Sequence, residues 1–103
     1  MFTVAEVKHA IESEFDGYEN DFYEEIDASG VELPLLQKTA TLEDREGGGE
    51  GGGEYMHVVF RIGDQLFRKV GYYNSWDAND WDGEIEEVEP YEVTVVRYRE
   101  VKR

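Results

Sequence analysis

Glu54-Tyr-Met-His-Val-Val-Phe-Arg-Ile-Gly-Asp-Gln-Leu-Phe-Arg-Lys-Val-Gly-Tyr-Tyr-Asn-Ser75 reads as a β-hairpin. Tyr55 to Ile62 and Leu66 to Tyr73 are rich in β-branched and aromatic residues, which suit a pleated, half-buried surface. Gly63-Asp64 lies between them, and a two-residue loop with Gly first supplies the positive φ of a tight primed turn. That turn pairs Ile62 with Gln65 and Phe60 with Phe67. Side chains alternate along a strand, so Met56, Val58, Phe60, Ile62 and Phe67 share one face, the expected core side. His57, Val59, Arg61, Leu66, Arg68, Val70 and Tyr72 share the other, an amphipathic face expected to be half covered.

A helix is expected before the hairpin. Thr3-Val4-Ala5-Glu6 fits a capping box, with Phe2 and Val7 at hydrophobic-staple spacing. Val4, Val7, Ile11 and Phe15 form an apolar stripe, and Gly17 is placed to end the helix, which spans 3–16. Tyr18, Phe22 and Ile26 suggest a second short helix within 18–30, with Asn20 as its cap; a loop is the alternative. Val31 to Asp44 reads as one strand with Pro34 near its start.

The run Arg45-Glu-Gly-Gly-Gly-Glu-Gly-Gly-Gly-Glu54 is not a phosphate cradle. A strand follows it rather than a helix, and its interspersed residues are Glu. It is expected to be a flexible connector over 46–54. Ile85 to Val88 suits a short strand, Pro90 ends it, and Tyr91 to Val101 reads as a long last strand with a bulge at Val95-Val96. The fold class is therefore α+β in a single domain of 103 residues. An N-terminal helix packs on a curled antiparallel sheet of four or five strands.

Charge is the strongest compositional fact. Twenty-five acids face ten bases, a formal net charge of −15. Nucleic acid and anionic membrane are poor direct partners for such a chain, whereas a basic protein is a good one. The bland alternative is that acidity only keeps a small protein soluble. No apolar run approaches a membrane span and no secretory signal is visible, so a cytoplasmic protein is expected.

Catalytic signatures are sparse. There is no cysteine, His9 and His57 each stand alone, and no serine sits in an elbow motif. A non-enzyme without cofactor is expected. Ala78 to Glu89 overlays a calcium loop in part, with Asp80, Asp82, Gly83 and Glu89 in place, but position 1 is Ala78 and the flanks read as strand. No metal is assigned to it.

Trp76 and Trp81 fall in a polar loop, either folded back as a lid on the core or left out as binding anchors. The functional reading makes Tyr73, Trp76, Asp77, Asp80, Trp81, Asp82 and Glu84 a partner-binding surface, joined by Glu24 and Glu25 of the acidic front arm. Residues 1–30 hold nine acids and one base, and no Lys or Arg occurs between Lys69 and Arg97. A mimic of DNA charge is one form of this reading.

Val59-Phe60-Arg61-Ile62, then Gly71-Tyr72-Tyr73-Asn74-Ser75, then Glu87-Val88-Glu89-Pro90 follow a Gly/Glu-rich lead-in from Gly47 to Glu54. In this order the chain resembles a group of small phage- and prophage-encoded proteins, over about half its length. The resemblance implies phage origin. It makes an anti-defence role the expectation, such as a stoichiometric blocker of a CRISPR effector or restriction enzyme inside the bacterial host. Two alternatives are a structural phage protein that self-associates through edge strands and an immunity protein against a toxin.

Overall fold

A computed structural model describes residues 1–47, 55–74 and 78–102. The capping box forms as the spacing requires. The Glu6 amide donates to the Thr3 hydroxyl at 3.1 Å, and the Thr3 amide donates to the Glu6 carboxylate at 2.9 Å. That second bond holds the Glu6 carboxyl below its usual range. Helix α1 (Val4–Glu14) follows. It ends where Asp16 and Gly17 take positive φ, and the Gly17 amide bonds back to the Glu12 carbonyl at 2.8 Å. Val7, Ala10 and Ile11 are buried, while Val4 and Phe15 pack at the margin of the core.

Helix α2 (Glu19–Glu25) is the second helix of the front arm. Its cap is Tyr18, not Asn20, and no side chain caps it. Seven residues cannot hold a helix by themselves, so Phe22 and Tyr23, both fully buried, must anchor it.

The stretch 31–44 is two strands rather than one. Strand β1 (Val31–Leu33) runs into a 3₁₀ turn over Pro34–Leu36, and Gln37 in the left-handed conformation reverses the chain into β2 (Lys38–Gly47). Pro34 is the cause: its fixed φ and missing amide favour the first turn of a helix and end the ladder. β1 then pairs antiparallel with β2, Leu33 opposite Lys38. Of the connector 46–54, Glu46 and Gly47 are strand, and the remainder lies outside the described residues.

Strands β3 (Tyr55–Ile62) and β4 (Gln65–Asn74) form the hairpin in the expected register, with Ile62 opposite Gln65 and Phe60 opposite Phe67. Gly63 supplies the positive φ. On the far side of β4 come two short strands in line, β5 (Ala78–Asp80) beside Tyr72–Asn74 and β6 (Ile85–Val88) beside Leu66–Lys69. The antiparallel sheet is thus five positions wide in the order β1-β2-β3-β4, with β5 and β6 sharing the fifth, and it is not closed.

One sheet face carries the helices. Phe22 meets Phe60 edge-on at 5.1 Å between centroids, Phe60 stacks on Phe67 at 5.9 Å, and Tyr23 lies against Trp81 at 5.6 Å. The α+β class and the helix-on-sheet arrangement are as the sequence implies.

The stretch from Tyr91 to Val101 departs from expectation. Residues 91–102 form no strand and are exposed throughout. The reason is physical: β-propensity describes fit beside a neighbour, and among the described residues no strand lies next to this segment.

Candidate functional site

Gly71 explains where Trp81 goes. A Cβ on Gly71 would lie 2.7 Å from the indole, 2.7 Å from the Asp80 carbonyl oxygen and 2.7 Å from the Met56 methyl. The missing side chain leaves a slot on β4 that Trp81 fills, 4 % exposed. Gly83 works likewise. Its amide donates to the Val70 carbonyl at 3.1 Å, and a Cβ there would stand 2.5 Å from that same oxygen. Together they draw the segment between β5 and β6 tightly against β4.

The buried indole then reaches the helices. Trp81 Nε1–H donates to the Glu24 carboxylate at 2.8 Å, 57 residues away in sequence. Trp81 is therefore a lid on the core, and its reading as an exposed anchor is corrected. Trp76 and Asp77 lie outside the described residues, as does the side chain of Tyr73.

This one contact joins the two acidic regions. Glu24 and Glu25 stand exposed at the end of α2, and Asp80, Asp82 and Glu84 stand exposed around Trp81. Glu24 thus meets the buried tryptophan directly, and Asp80 and Asp82 are its exposed neighbours in sequence.

Beneath them sits a cluster that pattern reading missed. Lys69 is 4 % exposed, with its ammonium 4.0 Å from Glu19 Oε1 and 5.2 Å from the centre of the Tyr23 ring. Tyr23 Oη donates to Glu19 Oε2 at 3.0 Å. Burial, reinforced by the Glu19 charge, pushes the Tyr23 hydroxyl far above its ordinary pKa. The signal was available, because alternation puts Lys69 on the Phe67 face. Gln65 lies on that face too. It clamps Phe2 from both sides, accepting from its amide at 2.7 Å and donating to its carbonyl at 2.9 Å.

The cations of the described body are mostly engaged within it. Arg61 pairs with Glu43 at 2.6 Å, Arg68 with Glu86 through Nε at 3.0 Å, and Arg45 donates to the Ile26 carbonyl at 3.0 Å. Lys8 lies 4.0 Å from Glu12. The charged side chains carried by α2 and by residues 80–84 are all acidic, with Lys69 of β4 buried against Glu19.

Two metal arrangements can be compared. Residues 78–89 do not wrap as a calcium loop: the first three lie in β5, and four more lie in β6. Among the described residues, only Asp44, Glu46 and His57 place three ligand atoms within 4.8 Å of one another. His57 Nε2 and Asp44 Oδ2 already stand 3.1 Å apart, the geometry of an ordinary surface hydrogen bond.

Compared with family models, curated proteins and solved structures, the chain finds no match. No helix among the described residues is long and apolar enough to cross a membrane.

Proposed function

We propose that this protein is a non-catalytic, acidic binding protein whose partner is a basic protein that handles nucleic acid. The observation that supports this reading is the hydrogen bond that ties Glu24 of the acidic front arm to Trp81, which lies between the exposed Asp80 and Asp82. With most cations of the body engaged internally, the acidic side chains of this surface are what it offers a partner. Opposite fields steer such an encounter and raise its rate, with salt dependence as the signature. The likeness to small phage proteins makes a host defence nuclease or CRISPR effector the partner class, with mimicry of DNA charge as one route.

The test is capture from a bacterial lysate at low and high salt. Wild type is run beside the triple variant Glu25→Lys, Asp82→Lys, Glu84→Lys, which leaves Glu24 and Trp81 alone. A basic, nucleic-acid-binding protein should be retained by wild type at low salt and lost with the variant, the on-rate falling at least about tenfold. Equal capture by both, insensitive to salt, sinks the reading.

A further inference from the structure

We propose that the segment Tyr91–Val101 is an exchange strand that adds to the open edge of β2 in a second copy of this chain. Val95 is 63 % exposed, Val96 71 % and Tyr98 93 %. Apolar exposure this continuous marks a surface that expects a cover. With a bulge at Val95-Val96, Tyr91, Val93, Val95 and Tyr98 fall on one side of a strand, and Arg97 and Arg99 fall together on the other. The segment is thus a strand in composition that lacks only a neighbour.

Among the described residues of its own chain, none pairs with it. The Cα radius of gyration is 16.6 Å, against about 13 Å for a compact domain of this length. The longest dimension is 64 Å, and twelve extended residues reaching about 40 Å account for the excess. Helix α1 packs against β6, the strand that the segment leaves.

A receiving edge does exist. β1 covers β2 only from Lys38 to Ala40, and the Leu42 amide is taken by the Asp27 carbonyl at 2.9 Å. From Glu43 to Gly47, no strand among the described residues lies on the outer side of β2. An edge with unpaired amides and carbonyls is a template for strand addition.

Charge selects a second copy as the occupant. Residues 1–90 carry 23 acids and six bases, whereas residues 91–103 carry two acids and four bases. The open edge presents Glu43, Asp44 and Glu46, all exposed; Glu43 and Asp44 also meet Arg61 and His57 of β3, and Arg45 between them is turned to the Ile26 carbonyl. Arg97 and Arg99 of an incoming strand meet carboxylates there, and opposite charges across strands stabilise the pair. The same exchange in both directions closes a two-fold dimer.

The chain has no cysteine, so introduced cysteines report contact cleanly. Glu46→Cys protein is mixed with Thr94→Cys, Arg97→Cys or Arg99→Cys protein, the positions on the arginine side of the strand, under oxidising conditions, and sedimentation gives the mass from micromolar to millimolar concentration. Expected results are a doubled mass, disulfide-linked mixed dimers for at least one pairing, and a return to single-copy mass in Val93→Asp/Val95→Asp. That double variant should melt like wild type at dilution, since both side chains are exposed. A wild type of single-copy mass at every concentration overturns the proposal, and so does a dimer unaffected by the double variant. A dimer in which no pairing links overturns the β2 edge as the receiving site. Loss of the exchange leaves the anionic-patch reading intact, because no residue is shared between them.

Discussion

The two faces of the β3–β4 hairpin share a backbone and differ in almost everything else. The helix-side face holds Met56, Val58, Phe60, Ile62 and Phe67, all buried, under Phe22 and Tyr23. The opposite face sets Val59, Leu66, Val70 and Val88, all half-buried, among the pairs Arg61–Glu43, Arg68–Glu86 and His57–Asp44. The first face derives its stability from excluded water and ring contacts, the second from exposed ion pairs that solvent screens. One residue of register therefore separates positions with very different energetic weight.

The sharpest way to break this comparison is to truncate neighbours in sequence on opposite faces. Phe60→Ala should lower unfolding free energy by about 3–5 kcal/mol, and Val59→Ala by about 1 kcal/mol or less, since only the first leaves a closed cavity. Urea melts of the two variants measure both. Similar losses would mean that the outer face is covered as well.

Removing the Tyr23 hydroxyl tests the polar cluster within the dry face. Tyr23→Phe should cost about 1 kcal/mol at neutral pH, the worth of one buried hydrogen bond. The pH dependence has a definite sign. The pKa of Tyr23 is raised in the fold above its ordinary 10.0, so its contribution is whole below that pH. It is lost as pH rises further, because there the unfolded chain alone gains by ionising. Wild-type stability should thus fall more steeply above about pH 10 than that of Tyr23→Phe. Parallel curves in alkaline urea melts would show that this phenol is not held neutral.

The smallest effect belongs to the outer face. Arg61→Ala and Arg68→Ala should each change stability by less than about 1 kcal/mol, and the loss should vanish in high salt. A larger, salt-insensitive loss in thermal melts would assign the outer face a structural weight like that of the core.

Much of the scaffold was legible in order of residues. The capping box, the Gly63-Asp64 turn, the register of Phe60 on Phe67 and the short strand at Ile85–Val88 rest on local rules, so few distant contacts could disturb them. The surface was legible only in part. Glu24, Glu25, Asp80, Asp82 and Glu84 stood out as charge, while Trp81 was open between lid and anchor. The Gly71 slot decides that question, and no spacing rule links Gly71 to Trp81 and Glu24.

Sequence alone determined the elements whose energy is local: capped α1, the hairpin, the acidic balance, the apolar side of each long strand. Tertiary structure decided what depends on a neighbour. Pro34 splits one expected strand into a reversing pair, because β1 finds its partner in β2. The stretch 91–102 stays unpaired despite its composition, since a strand is completed by the backbone beside it. Lys69 and Trp81 go inside because Glu19, Tyr23 and Glu24 satisfy them there, and those partners come from a helix some fifty residues earlier.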